Sequence, residues 1–172
     1  SATCLLGPPF PQEYGGGGLD DVRYAILTEE PAKGVSSLRT SISVHGSLCG
    51  STIKYFASDE QKKRWLPDMA AGKKLGAWAL TEPGSGSDAA GMQTTAKLVG
   101  EHYVLNGTKA WISNGGLAEY VIVYAKTNAA LKHKGIRCVL SKKGTPGTDG
   151  VGDGHTKKHG MRPRPTADRG YR

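Results

Sequence analysis

Two hydrophobic periods divide the chain. From Ser36 to about Ala57 the apolar positions are Leu38, Ile42, His45, Cys49, Ile53 and Phe56, with Leu48 and Thr52 filling in. Steps of three and four residues put them on one face of a helix. The other face carries Ser, Thr and Gly, small enough for a second element to pack closely, so this helix is predicted to be buried. A shorter helix precedes it. Asp20 is its N-cap, it runs through Val22, Ala25, Ile26 and Glu29-Glu30, and Pro31 and Gly34 end it. A third follows from Asp59 to about Met69. Ser58 and Gln61 have the spacing of a capping box, and Pro67 loosens the last turn. Ahead of all three, Ser1 to Gly18 reads as loop, with Pro8, Pro9, Pro11 and the run Gly15 to Gly18.

Near Gly72 the period changes. Leu75–Leu80, Thr95–Val99, His102–Leu105, Thr108–Ser113, Tyr120–Lys126 and Ile136–Ser141 read as short strands. Asn106-Gly107 is a hairpin signal, because a two-residue turn of that kind needs positive φ at both positions. Consecutive strands on short links predict a mainly antiparallel, barrel-like sheet, and with the helices an α+β fold. The expected parts are a helical region over residues 1–72, a β-domain over 73–150 and a basic tail over 151–172.

Charge adds little to this picture. The net charge is +8 over 172 residues, and half of it sits in the tail. There Lys157, Lys158, Arg162, Arg164, Arg169 and Arg172 face only Asp153 and Asp168. A nucleic-acid face would interleave such residues with aromatics, and only Tyr171 is nearby, so no nucleic-acid partner is expected. No apolar run is long enough for a membrane span, and no signal peptide is expected. Cys4, Cys49 and Cys138 are odd in number and widely spaced, which reads as reduced thiols rather than a metal or disulfide framework. His155 and His159 lie four apart but among glycines and without an acidic partner, so no metal site is expected there.

The chemistry concentrates between Trp78 and Gly91. A strand, Trp78-Ala-Leu-Thr81, runs into Glu82-Pro-Gly-Ser-Gly-Ser-Asp-Ala-Ala-Gly91. Glycines let backbone N–H groups approach a ligand, and such groups suit phosphate oxygens. A plain Gly-Ser connector would have the same composition, and Thr81 and Ser87 would then be turn residues. The segment from Gly84 to Ala89 fits the spacing of the dinucleotide fingerprint. That motif must open a helix inside a βαβ unit, whereas an alternating strand pattern follows here. A structural use is also open to Glu82, its carboxylate bonding backbone N–H groups of the loop. His45, on an apolar helix face, reads as a satisfied core histidine. Trp78 and Trp111, each in a strand, are core residues on propensity alone.

The stretch from Trp78 to Gly91 resembles the first signature of the acyl-CoA dehydrogenases. Other segments resemble the same family in order and in register. They are Pro11-Gln-Glu-Tyr-Gly-Gly, the helix from Tyr24 to Gly34, Ser58-Asp-Glu-Gln-Lys-Lys, Trp65-Leu-Pro67, Tyr103-Val-Leu-Asn-Gly-Thr-Lys-Ala-Trp-Ile-Ser-Asn114 and His133-Lys-Gly-Ile136. The similarity covers roughly residues 10 to 147 and is closest to short-chain and related bacterial members.

The resemblance implies an N-terminal helical domain, a middle β-domain and a C-terminal helical bundle, with FAD between the last two. It implies removal of an α-proton and a β-hydride from an acyl-CoA thioester, the hydride going to flavin N5, with an electron-transfer flavoprotein as oxidant. It also implies a homo-oligomer, a tetramer in the full-length family, and the compartment expected is the bacterial cytoplasm, with the mitochondrial matrix as the alternative. Position by position, Trp78, Ala79, Leu80 and Thr81 match a flavin-contacting strand. Gly86 and Ser87 match the loop nearest the pyrophosphate and the acyl-CoA, so Ser87 is also the substrate-binding candidate. Trp111, Ile112 and Ser113 match the second flavin strand. Nothing in the sequence matches the bundle that carries the family's glutamate base. No catalytic residue is therefore assigned, and this chain alone is expected to be inactive or to serve as a flavin- or acyl-CoA-binding or subunit-interaction relative. Lys158-His-Gly-Met-Arg162 is similar to a family turn, but the residues from Pro163 to Arg172 do not read as the strand expected there.

Overall fold

The computed structural model describes residues 3–151 and 166–171. After a short helix α1 (Thr3–Leu6) and a 3-10 turn (Gln12–Tyr14) comes α2 (Asp21–Gly34), capped by the Asp20 side chain, which accepts from the Arg23 N–H at 2.8 Å. It passes through Pro31 instead of stopping there, and the Val35 N–H closes its end on the Pro31 carbonyl. A proline in the last turn costs one hydrogen bond that fraying leaves weak anyway. Val22 and Ile26 on α2 are exposed, and only Thr28 is buried on it.

The long second helix is present as a continuous run: α3 (Ser36–Ser43), a π-helical stretch (Val44–Gly50) and α4 (Ser51–Phe56). Ile42, His45, Cys49 and Ile53 are buried as the period predicts, while Leu38 and Phe56 at the ends are exposed. The small-residue face packs on the N-terminal loop and, at Gly46, also on α2, where a Cβ would fall 3.0 Å from the Tyr24 hydroxyl. A Cβ on Gly50 would fall 2.4 Å from the Phe10 ring, and one on Gly46 would fall 2.7 Å from Pro9. α5 (Asp59–Ala70) opens with the full reciprocal capping box of Ser58 and Gln61 and carries Pro67 inside.

Seven strands follow: β1 (Gly76–Ala79), β2 (Thr95–Val99), β3 (His102–Ser113), β4 (Tyr120–Lys126), β5 (Ile136–Lys142), β6 (Thr148–Val151) and β7 (Thr166–Tyr171). They form a mixed sheet in the order β1-β4-β2-β3-β7-β6, with β5 on the other edge of β4, and the described strands do not close into a barrel. β2–β3, β3–β7, β4–β5 and β6–β7 are antiparallel; β1 runs parallel to β4, and β2 touches β4 in parallel at Thr95.

Two expectations are corrected here. Asn106-Gly107 is not a turn: both residues lie inside β3, and the hairpin turns at Gly100-Glu101, where Gly100 has φ +60°. Gly107 instead solves a crowding problem, since a Cβ there would meet the Thr94 side chain at 2.5 Å. The second correction concerns Thr166–Tyr171, which do form a strand, laddered on β3 and β6. Pairing partners distant in sequence override a weak local β preference.

β4 separates two cores. Tyr120 and Ile122 pack with Phe10, Cys49, Ile53, Leu66 and Met69 on the helix side. Val121 and Val123 pack with Ala77, Ala79, Ile112, Ala118 and Tyr171 on the other side. His45 joins helices to sheet: its Nδ1 accepts from the Gly76 N–H at 2.9 Å, and its Nε2 lies 3.2 Å from the Met69 carbonyl. Since Gly76 can only donate, the proton is on Nε2, and both ring nitrogens are satisfied. Of the cysteines, Cys49 is buried and Cys138 exposed, both as free thiols. Burial pushes the Cys49 thiol up to about 12, despite bonds from neighbouring backbone. Among the described residues no helix is long and apolar enough to cross a membrane. His155 and His159 lie outside the described residues.

Candidate functional site

The loop that follows β1 is tied at its base by one carboxylate. Glu82 accepts from the N–H groups of Gln93 at 2.5 Å and Thr94 at 2.9 Å and from the Lys109 ammonium at 2.8 Å. Both ends of a ten-residue excursion thus meet on one side chain. Lys109 and Glu82 are both buried, and Lys109 also donates to the Leu80 carbonyl at 3.0 Å. Burial pushes the Glu82 carboxyl upward, but the donors from Gln93, Lys109 and Thr94 outweigh it and hold it down at about 2. Burial draws Lys109 below the usual lysine value, with Glu82 opposing.

The loop is also ordered from within. Glu82 and Ser85 exchange backbone bonds, Ser85 Oγ donates to the Asp88 carbonyl at 2.6 Å, and the Asp88 side chain caps Gly91. This uses the backbone polar groups at the loop's base. Gly84, Gly86 and Ser87 are exposed, and their N–H groups take no partner among the described residues. Nor does the fold require glycine at Gly84 or Gly86: neither has a positive φ, and an added Cβ would meet nothing within 4 Å. The missing side chains leave the backbone open from outside, and clustered unused N–H groups suit an anionic oxygen.

Beside the loop, β3 is irregular. Its register on β7 shifts between Lys109 and Ile112, and within that shift Trp111 has φ +61°. A tryptophan in the left-handed region is an outlier that surrounding structure must hold in place. The bulge leaves the indole 61% exposed although its neighbours Ala110 and Ile112 are buried. Just beyond, Asn114 (φ +64°) is buried, and its amide donates to the carbonyls of Ser41 and Gly76 at 3.1 Å each. That amide ties the end of β3 to α3 and β1.

The residues expected to form the site are distributed as follows. Thr81 is half-buried, and its carbonyl accepts from the Ala110 N–H at 2.9 Å, which brings the Trp78–Thr81 segment against β3. Gly86 and Ser87 are exposed on the loop, and Trp111 is exposed on the bulge. Ala79 and Ile112 lie in the sheet-side core, so their side chains serve packing. Trp78 points to the helix side, edge-on to Tyr124 with ring centroids 5.1 Å apart. Leu80 is half-buried and lends its carbonyl to Lys109; Ser113 is buried and pairs with Thr166. Glu82 takes the structural one of the readings open to it, accepting from Gln93, Thr94 and Lys109. Nothing local in the sequence marks Lys109 or Asn114 as a site residue. A lysine between Thr108 and Ala110 in a strand pattern looks solvated, and only the distant Glu82 makes it a buried residue.

The carboxylates around the site are committed. Glu82 is in the ion pair, Asp88 caps the loop, and Glu119 accepts from the Leu75 N–H at 2.8 Å. Among the described residues no group of three or more metal-ligating side chains occurs.

Two family models match the chain in tandem: the acyl-CoA dehydrogenase N-terminal domain over residues 4–73 and the acyl-CoA dehydrogenase middle domain over residues 77–169. The chain is 46% identical to the human mitochondrial short-chain specific acyl-CoA dehydrogenase over 143 residues, which cover 83% of this chain and 35% of that protein. It superposes on butyryl-CoA dehydrogenase from Megasphaera elsdenii with a TM-score of 0.90 at 35% identity, covering 97% of this chain and 44% of the other. An acyl-CoA dehydrogenase complexed with FAD from Bacillus anthracis gives a TM-score of 0.87 at 39% identity, covering 98% and 28% respectively. The chain thus spans roughly a third of the length of the curated relatives it matches. With the middle-domain model alone covering more than half of its residues, the chain belongs to the acyl-CoA dehydrogenase family.

Proposed function

We propose that this chain supplies the flavin-facing half of an FAD-dependent acyl-CoA dehydrogenase acting on an acyl-CoA thioester. The observation that carries the reading is the exposed Trp111, held at φ +61° next to a strand that leads into an exposed Gly-Ser loop whose N–H groups at Gly84, Gly86 and Ser87 are unused among the described residues. The residues fit such a cofactor. A flat apolar wall suits an isoalloxazine face, and the open backbone of Gly84, Gly86 and Ser87 suits a pyrophosphate. Bound FAD would supply the hydride acceptor. In this reading Trp111 walls the ring. Thr81, with the backbone of Trp78 to Leu80, borders it, and Ser113 offers a hydroxyl near its edge. Ala79 and Ile112 keep that strand pair closed from behind. Ser87 also reaches the acyl-CoA.

Abstraction of the thioester's α-proton needs a positioned carboxylate. Glu82, Asp88 and Glu119 are each engaged as acceptors, so the base comes from outside these residues. The domains are taken as 1–72, 73–150 and 151–172. The partners are electron-transfer flavoprotein and further copies of the chain, in the bacterial cytoplasm or the mitochondrial matrix.

The test is retention of FAD by the purified chain, read from its visible spectrum, for Trp111→Ala against Trp65→Ala. Trp65 sits half-buried on the helix-side core, 6.5 Å from the Tyr120 ring. Losing a buried aromatic contact removes roughly 1–3 kcal/mol, about one to two decades of affinity. Trp111→Ala is expected to lose that much and Trp65→Ala little. Equal retention would make Trp111 an ordinary surface residue.

A further inference from the structure

Three segments make up the flavin site proposed above, and they are not neighbours in sequence: Trp78 to Thr81, Gly84 to Ser87 and Trp111 to Ser113. One residue, Lys109, is tied to the first through its ammonium, to the second through Glu82 at the loop's base, and to the third through its own strand. Lys109 Nζ bonds the Leu80 carbonyl at 3.0 Å in the first segment. It bonds Glu82 Oε1 at 2.8 Å, at the base of the loop that carries the second. Its own backbone lies two residues before Trp111 on the same strand, at the edge of the bulge. The partner carboxylate then fixes the far end of the loop through Gln93 and Thr94. Lys109 is fully buried, and so faces no solvent or ligand directly.

We propose that Lys109, with Glu82, is the positioning pair of the cofactor site, setting the loop N–H groups, the Leu80–Thr81 edge and the Trp111 bulge relative to one another. This rests on the flavin reading given above. Stability alone does not require such a pair. A buried ion pair replaced by neutral groups of similar shape is often no less stable, whereas breaking it on one side strands a charge. What the charged pair adds is geometry: an ammonium and a carboxylate together hold five groups, two backbone N–H donors, one carbonyl and each other. Site groups need their orientation fixed to within fractions of an ångström, and supporting bonds of this kind do that.

The experiment uses the full chain with FAD as the probe, and three variants: Glu82→Gln, Lys109→Met and the two combined. Thermal melting, FAD affinity by flavin fluorescence titration, and amide hydrogen exchange over residues 83–94 are measured on each. Each single change leaves one buried charge without its counter-charge and is expected to lower the melting temperature. The double variant is expected to recover most of that loss yet bind FAD ten- to a hundred-fold more weakly, with faster exchange across the loop. Rescue of stability without rescue of affinity is the signature of positioning. A double variant that binds FAD like the wild type would overturn the proposal and leave the flavin reading intact. A wild-type chain that takes up no FAD would overturn both.

Discussion

The two cores on either side of β4 are built differently. On the helix side, Phe10, Ile53, Leu66, Met69 and Ile122 are large and almost completely buried. Burying such side chains stabilises by roughly 1.5–3 kcal/mol each. The sheet side is thin. Ala77, Ala79 and Ala118 fill much of it, and they bury little area. There the joints are polar: Lys109 on Glu82 and Leu80, and Asn114 on Ser41 and Gly76. Apolar volume makes up most of the packing between helices and sheet, with His45 and Asn114 adding directed bonds across it, while the base of the loop is held by directed bonds. Non-directional burial gives stability without fixing exact positions, and hydrogen bonds to charged groups do the reverse. The candidate site stands on the side where position, not volume, is specified.

The largest break in this contrast is expected from Phe10→Ala. Phe10 packs edge-on to the His45 ring and against Gly50, in a slot that glycines keep open. Truncating it removes a fully buried ring, at about 3–5 kcal/mol. Urea unfolding should show that loss. A midpoint shift equivalent to less than 1 kcal/mol would mean that the helix side does not depend on its large side chains.

Acid should open the two sides at different pH values. His45 is buried and neutral, and burial lowers its pKa to about 4 from 6.5 although its bond to Met69 opposes this. The unfolded chain takes up that proton first, so stability falls as pH drops from about 6.5 to 4, by about 3 kcal/mol in total. Glu82 is depressed to about 2 from 4.5, so its contribution is intact above 4.5 and is lost only between 4.5 and 2. The helix–sheet joint is therefore expected to weaken before the loop anchor does. Urea midpoints at pH 7.5, 5.5 and 4.5 should fall steadily, and His45→Gln should flatten the fall. A wild-type midpoint constant down to pH 4.5 would contradict the assignment.

The helix side was legible in the sequence because its causes are local. The three-and-four spacing of Ile42, His45, Cys49 and Ile53, and the Ser58–Gln61 box, are set by residues within a turn or two. The sheet side was legible only in part. Strand positions followed from alternation, but Asn106-Gly107 misplaced the hairpin, because Gly107 answers to Thr94 across the sheet and not to a turn. Strand β7 escaped because its ladder comes from β3 and β6. Within the site, the Gly-Ser loop and the structural use of Glu82 could be read from local chemistry. The bulge at Trp111 and the burial of Lys109 could not, since both depend on partners 27 or more positions away.

The smallest effect on folding should come from the loop glycines, and it sharpens the comparison most. Gly86 has an ordinary backbone conformation, and an added Cβ would touch nothing within 4 Å. Replacing such a glycine with alanine restricts the unfolded chain and strains nothing. Stability should be unchanged or higher by about 0.4–1 kcal/mol. The same methyl would stand on the open face of the loop, beside the unused N–H of Ser87. If a pyrophosphate lies against that backbone, the methyl holds it off and weakens the hydrogen bonds made there. A lost charge-assisted bond removes roughly 1.5–3 kcal/mol, about one to two decades in affinity. Gly86→Ala is therefore expected to melt no lower than the wild type while binding FAD at least ten-fold more weakly. Gly50→Ala is the control with the opposite signature. Its Cβ would collide with the Phe10 ring at 2.4 Å, so it should destabilise the helix side, by roughly 1–3 kcal/mol. The pair is measured by thermal melting and by flavin fluorescence titration on the same preparations. If Gly86→Ala binds FAD as tightly as the wild type, the loop does not face the phosphates, and its glycines serve only as a flexible connector.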